Sequence, residues 1–351
     1  MKKTLLATAI VGALGASAAA QAATVYDQDG TKLDIYGRIA MGIAGGGPEF
    51  NSSGAEIDDG AEFVDVYSRL GLRMSHEVSR DLTAFGRLEW RFSGDERNTD
   101  QGFNEIRQSY LGLQSDQFGT FQAGNFDAFY NQFVSLPFDV YIDRGLEFSG
   151  HPTQSRGDSI GYYTPDLSGF TAFLQAKHYS ERGEVEGVGT TEEGAVVAPQ
   201  GGVRYAQGPI TVGLGFVEDV ERGGGNGEML YGLIGSYDFT DQFSARLGYE
   251  TRDNNDGYTP NATGDNGFDK VGLGGTFTTG AWAFTADYYN VDRDTQDDSN
   301  AWAAGTYYNV SSNFDVFLEV ADGDAPTVDR DVTLGDLTDD VYWLTGARYH
   351  F

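Results

Sequence analysis

The sequence predicts an all-β fold: a transmembrane, antiparallel, up-and-down β-barrel of about 16 strands, with a long third loop folded into its lumen. Three observations predict it. Short stretches with apolar residues at every second position recur along the chain, which is the period of a strand showing alternate side chains to opposite faces. Their connections alternate between very short turns and longer acidic loops, as in barrels that cross a membrane. The last such stretch ends on an aromatic residue, Phe351.

Composition agrees. Mean hydropathy is −0.38, and beyond the N-terminus no run approaches the ~20 apolar residues of a membrane helix. A strand facing lipid on one side is apolar only at alternate positions, so its average stays polar. The 49 Gly, 23 Phe and 20 Tyr favour an all-β architecture, and the absence of Cys excludes disulfides and thiol chemistry. Residues 1–22 read as a secretory signal peptide: Lys2 and Lys3, an apolar stretch to Ala20, and small residues at Ala20 and Ala22. Cleavage leaves a barrel of residues 23–351, exported through the general secretory pathway. Removing Lys2 and Lys3 from 23 basic residues leaves 21 against 53 acidic ones, a net −32, which excludes a nucleic-acid partner.

The elements follow in order. In residues 33–44, Leu33, Ile35, Ile39, Met41 and Ile43 form one face and Asp34, Tyr36, Arg38 and Ala40 the other. Next, Val64, Val66, Leu70, Leu72 and Met74 alternate with Tyr67, Arg69 and Arg73. After a turn at 79–81, Leu82, Ala84, Leu88, Trp90 and Phe92 alternate with Arg87, Glu89 and Arg91. Residues 104–114 and 120–126 give a fourth and a fifth strand. Beyond a long interruption, strands at 159–164 and 170–180 meet at the turn 165–169. The pairs 201–206 and 210–218, 229–239 and 244–253, 269–278 and 281–291, and 301–310 and 314–321 follow, each joined by a short turn. The last strand is 341–351, with Val341, Trp343, Thr345, Ala347, Tyr349 and Phe351 on one face. All eight Pro are expected in loops and turns, because a strand paired on both sides has no place for a residue without N–H. All four Trp fall in strands, several near the ends, where an aromatic belt meets lipid headgroups.

The interruption is residues 125–156. A connection of that length is rare in a compact domain and usually functional. It holds Pro137, Pro152 and six aromatics from Phe126 to Tyr141. The expectation is that it enters the lumen and narrows the channel.

The motifs Leu33-Asp34-Ile35-Tyr36-Gly37-Arg38, Tyr67-Ser68-Arg69-Leu70-Gly71 and Asp81-Leu82-Thr83-Ala84-Phe85-Gly86, together with the terminal Phe351, carry a resemblance that spans the mature chain. It resembles a general diffusion porin of the Gram-negative outer membrane. The resemblance implies a water-filled channel for passive diffusion of small hydrophilic solutes and ions. It also implies a homotrimer in the outer membrane, with lipopolysaccharide and outer-membrane lipid around it. In that family Phe351 is the signal read by the barrel-assembly machinery, and the outer loop at about 95–102 reaches into the neighbouring subunit. The inward loop faces basic wall residues, here Arg38, Arg69, Arg107 and Arg156. Where the family carries Pro-Glu-Phe-Gly-Gly, this chain reads Leu136-Pro137-Phe138-Asp139. Asp139, Asp143 and Glu147 are the acidic candidates on the loop, and Arg144 lies among them. By alternation alone, Arg38 and Arg69 point into the lumen. With acidic outer loops concentrating cations at the mouth, the channel is expected to be weakly cation-selective.

Two other readings remain in play. A substrate-specific sugar or anion channel would use Phe126, Phe129, Tyr130, Phe133, Phe138 and Tyr141 as a lumenal track. Packing of these rings against the wall is the plainer alternative. A barrel enzyme would need a catalytic cluster, and His76, His151, His178 and His350 form no such motif. The Asp-rich stretches 253–257 and 292–298 have calcium-ligand chemistry but complete no EF-hand, so no metal and no cofactor is expected.

Overall fold

The computed structural model describes residues 22–46, 49–50, 56–57, 61–95, 103, 105–143, 145, 148, 157–179, 196–218, 229–252, 267–293, 298–322 and 341–351. The strands are β1 (Ala23–Gln28), β2 (Thr31–Gly46), β3 (Glu49–Phe50), β4 (Glu56–Ile57), β5 (Glu62–Asp65), β6 (Arg69–Ser79), β7 (Leu82–Arg91), β8 (Glu105–Ser115), β9 (Gly119–Asn125) and β10 (Asp158–Tyr163). They continue with β11 (Phe170–Tyr179), β12 (Val196–Gln207), β13 (Ile210–Glu218), β14 (Met229–Asp238), β15 (Phe243–Arg252), β16 (Phe268–Thr279), β17 (Trp282–Arg293), β18 (Ser299–Asn309), β19 (Phe314–Asp322) and β20 (Val341–His350). β3 and β4 form a separate two-stranded ladder, and all the others belong to one antiparallel sheet.

That sheet closes on itself, because β2 pairs with β20 as well as with β6. β5 and β6 are two segments of one stave. β1 pairs with β2 at Thr31 to Ile35, on the side that β20 occupies higher up, so it prolongs the last stave. Sixteen staves result, as the alternation of short and long connections requires. The short turns use the residues their geometry demands. Gly208 and Gly280 sit at positive φ in two-residue hairpins with open space around them, so conformation alone requires glycine there.

The two faces invert the pattern of a water-soluble protein. Leu111, Leu247 and Leu273 are 67%, 59% and 59% exposed, while Glu250 and Glu319 are 0% exposed on the inside. Phe170, Tyr237, Phe243, Phe277, Trp282 and Tyr349 lie exposed near the short-turn ends of their strands, forming an aromatic girdle. A closed ladder leaves no backbone N–H or C=O of a stave facing hydrocarbon unpaired. The outer surface is therefore built for lipid, and the polar groups line the lumen.

Two expectations are corrected, and one strand is added. Pro199 lies inside β12, not in a loop. It pairs with Ala176 of β11, but β13 first meets β12 at Gln200, so at Pro199 one edge of the strand is open and no N–H is needed. Val66 faces inward and Phe63 outward, the reverse of the simple alternation, because the stave breaks at 66–68 with Tyr67 at φ 61°. The break shifts the inward parity by one residue, and the Asp65 carboxylate accepts the Ser68 N–H at 2.8 Å to hold it. The strand at Ala23–Gln28 had no alternation strong enough to announce it.

Candidate functional site

The wall is cut low where the long loop begins. β9 and β10 span only seven and six residues, against ten to twelve in most other staves, so the chain leaves the wall partway and turns inward. Asn125 fixes the base of the loop: its amide donates to the Ile106 carbonyl at 2.9 Å and its oxygen accepts the Gly157 N–H at 2.8 Å. The loop then forms a π-helical turn over Asn131–Ser135 and a 3-10 turn over Leu136–Phe138, with Pro137 in the first positions of the latter.

A lane of glycines on the inner wall receives it. Cβ atoms added at Gly161, Gly215, Gly232, Gly248 and Gly272, on successive parts of the wall from β10 to β16, would run into Phe129, Val134, Tyr130, Phe138 and Phe148. At Gly213 the obstacle is the loop backbone itself, at Phe133 and Val134. Phe126, Phe129, Tyr130, Phe138 and Phe148 are buried in this contact, each ring contributing about 2 kcal/mol. Phe133 stacks on Phe173 at 5.1 Å, and Phe138 and Phe148 pack on Tyr289. The loop aromatics thus pack against the wall, as the plainer reading had it.

Polar anchors complete the seat. The N–H groups of Phe129 and Tyr130 donate to the side-chain oxygens of Gln175 (2.8 Å) and Gln200 (2.9 Å), and the Tyr130 hydroxyl donates to Glu250 at 2.6 Å. The Tyr141 hydroxyl donates to the Ala303 carbonyl at 2.8 Å. At the far end, Glu319 accepts the N–H groups of Ile142 (2.5 Å) and Asp143 (2.9 Å) and the Tyr307 hydroxyl (2.7 Å). Ile142 packs into an apolar seat that includes Ala40, Val66 and Leu344. The loop therefore runs round the inner wall from β9 to β20.

Opposite the early part of the loop stands an arginine wall. Sheet register sets Arg38 against Arg69, Arg69 against Arg91 and Arg73 against Arg87, like charges directly across the ladder. Glu89, 0% exposed, lies among them and accepts from Arg107 (2.6 Å), Arg87 (2.8 Å) and Arg69 (3.3 Å). The Tyr36 hydroxyl also donates to it, at 2.7 Å. Tyr36, Gly71 and Glu89 share one rung, and Gly71 is what lets the Tyr36 ring cross its neighbour: a Cβ there would strike that ring. Arg73 lies over the Tyr36 ring at 4.2 Å. Arg91 pairs with Glu105 at 3.3 Å, and Arg38 donates to the Tyr67 carbonyl at 3.0 Å.

The sequence candidates are placed as follows. Arg38, Arg69 and Arg107 converge on this wall. Asp139 is exposed on the loop, within electrostatic reach of Arg107, Arg69 and Arg38. Asp143 has its backbone held by Glu319, and its carboxylate accepts the hydroxyl of Tyr67, whose ring lies under Arg91 at 4.7 Å and whose carbonyl accepts from Arg38. Arg144, Glu147, Arg156, most of the 95–102 loop and the residues 253–257 lie outside the described residues, as does much of 292–298. Asp127 takes a part that sequence reasoning missed, accepting from Arg107 at 3.2 Å and from Gln108 at 2.5 Å. Glu89, Glu319, Tyr36 and the glycine lane were missed too. Glu89 alone left a signal, an acid between two arginines on one inward face.

Residues 7–327 match a family described as Gram-negative porin. The major outer membrane protein of Halomonas elongata is 31% identical over 273 residues, covering 72% of this chain and 71% of that one. A monosaccharide porin of a Halomonas species matches to the same extent. An outer membrane porin protein of Bordetella pertussis is 30% identical over 266 residues, covering 68% of this chain and 66% of its own. Among solved structures, the anion-selective porin from Comamonas acidovorans shares the fold with a TM-score of 0.68, at 22% identity, over 92% of this chain and all of that one. Each protein named here is a porin or an outer-membrane protein, none is an enzyme, and the family match runs through most of the barrel. The chain therefore belongs to the Gram-negative porins, channel proteins of the outer membrane.

Proposed function

We propose that this porin forms a water-filled channel through which small hydrophilic solutes and ions diffuse passively, with a weak preference for cations at low salt. The observation that carries this reading is the inward loop, seated along the inner wall, with Asp139 on it within electrostatic reach of Arg107, Arg69 and Arg38. The gap between loop and wall sets the size limit. Glu147 and Arg156 are proposed to extend the same acidic and basic sides. Five of the six loop aromatics that would have made a track for one substrate, Phe126, Phe129, Tyr130, Phe138 and Tyr141, are buried against the wall, which favours general diffusion.

Charge preference follows from compensation. Arg69, Arg87 and Arg107 share Glu89, Arg107 also meets Asp127, Arg91 meets Glu105, and Arg348 meets Asp315 at 2.9 Å. Four carboxylates thus offset most of the charge of these five arginines, and the net charge of the mature chain governs ion concentration at the mouth. Reversal potentials across a KCl gradient in a planar bilayer test this. Preference for potassium is expected near 10 mM, where screening reaches ~30 Å, and is expected to vanish near 1 M, where it reaches ~3 Å. Chloride preference at low salt would overturn it.

The remaining expectations are proposed with it: a cleaved leader at 1–22, a homotrimer embedded among lipopolysaccharide and outer-membrane lipid, and recognition of Phe351 by the barrel-assembly machinery. Phe351 exchanges backbone hydrogen bonds with Gly37 at 2.9 and 3.1 Å, so it is also the last link in closure. Deleting Phe351 is expected to lower the amount of protein in the outer-membrane fraction severalfold. An undiminished level in that fraction would remove the assembly role.

A further inference from the structure

Three arginines share one rung of the wall. Register places Arg38, Arg69 and Arg91 side by side on β2, β6 and β7, at the ~4.8 Å spacing of neighbouring strands. Like charges so placed repel, and their side chains must part. Arg69 turns toward the short-turn side, where Glu89 accepts from it at 3.3 Å. Arg38 and Arg91 are held from the long-loop side, by Tyr67. We propose that Tyr67 is a positioning residue for the selectivity of the channel: it fixes two lumenal arginines and joins them to the inward loop. The proposal rests on the channel reading and adds to it a determinant that carries no charge.

The backbone makes this possible. Tyr67 sits in the stave break, between the β5 rung at Asp65 and the β6 rung at Arg69, and has no rung partner of its own. Its φ of 61° is a left-handed conformation that disfavours a bulky side chain and that glycine or asparagine adopts readily. The Tyr67 carbonyl, outside the ladder, accepts the Arg38 Nε–H at 3.0 Å. Arg38 is 6% exposed, and among the described residues no carboxylate accepts from it. A backbone carbonyl therefore holds this buried cation.

The side chain adds two further contacts. Arg91 lies over the Tyr67 ring, 4.7 Å from its centroid, while its Nη1 reaches Glu105 at 3.3 Å. The Tyr67 hydroxyl donates to the Asp143 carboxylate, and its ring packs on the apolar seat that also receives Ile142. Carbonyl, ring and hydroxyl thus meet an arginine of β2, an arginine of β7 and the loop. A tyrosine held in a conformation suited to glycine, with all three groups engaged at the lumen, is strain placed where function needs it. Without the ring, Arg91 falls back on Glu105. Without the hydroxyl, the Asp143 carboxylate is left to the ions. Both changes make this part of the lumen less positive.

Reversal potentials of the refolded protein in a planar bilayer, at about 0.1 M KCl, test the proposal. Tyr67→Asn accepts the left-handed backbone and removes ring and hydroxyl together; it is expected to raise the potassium-to-chloride permeability ratio about threefold. Tyr67→Phe removes the hydroxyl alone and is expected to raise the ratio about 1.5-fold. That smaller rise should disappear when Asp143→Asn is also present, because the carboxylate through which it acts has lost its charge. A role confined to packing the wall would not depend on Asp143 in this way. An unmoved ratio in either conducting variant, or a Tyr67→Phe effect undiminished beside Asp143→Asn, would overturn the assignment and leave the channel reading standing. A parent protein that inserts and does not conduct would overturn the channel reading and the assignment with it.

Discussion

Replacing Glu319 by alanine is expected to release the far end of the inward loop and raise the size limit of the channel. Glu319 is fully buried on β19 and accepts hydrogen bonds from the Tyr307 hydroxyl and from two consecutive loop N–H groups. Hydrogen bonds to a charged acceptor contribute about 1.5–3 kcal/mol each, and water in the lumen recovers part of that when they open. A net loss of about 3 kcal/mol moves the balance between seated and released loop by about a hundredfold. The barrel survives, because β19 keeps its pairing with β18 and β20. Liposome swelling with sugars of increasing size measures the effect. The alanine variant should admit oligosaccharides that the parent excludes, and Glu319→Gln, which retains one acceptor oxygen, should fall between them. An unchanged size limit in a folded alanine variant would show that the aromatic seat holds the loop by itself.

Glu89→Gln is expected to turn the channel toward anions. The substitution keeps the volume and removes one negative charge from the centre of the arginine wall. Arg69, Arg87 and Arg107 lose their common partner, and the like-charge pairs across the ladder are no longer offset. One charge about 6 Å from a permeating ion in water is worth about 0.7 kcal/mol, roughly threefold for each sign and about tenfold in the ratio of permeabilities. Stability should also fall, by about 2 kcal/mol rather than the 3–5 kcal/mol of a dry interior, because the arginines keep part of their hydration. Reversal potentials at moderate salt report the first effect and thermal unfolding the second. Glu89→Asp should recover part of both. A permeability ratio that does not move would place the ion path away from this wall.

Much of the fold was legible in the sequence because a barrel stave is specified locally. Arg38 and Arg69 face the lumen on period two alone, and the strand Ile210–Glu218 has the boundaries that its alternation and flanking turns gave. Legibility failed where a local rule met a non-local condition. Pro199 is tolerated in β12 only because β13 begins one residue later, which depends on how two strands end. The inward face of Val66 depends on a break at Tyr67 that alternation passes over.

The sequence by itself determined that the chain crosses the membrane as a closed antiparallel barrel, that one long loop interrupts it, and that arginines line part of its lumen. These are consequences of residue spacing and turn chemistry within a few positions of one another. Tertiary structure alone decided which groups meet: Glu319 with Ile142, 177 positions away, Tyr130 with Glu250, 120 positions away, and the glycines that leave the wall bare where the loop lies down. The reason is that closure and stagger fix which rungs share a height in the lumen. A side chain's partner across the barrel depends on that height, and local periodicity carries no information about it.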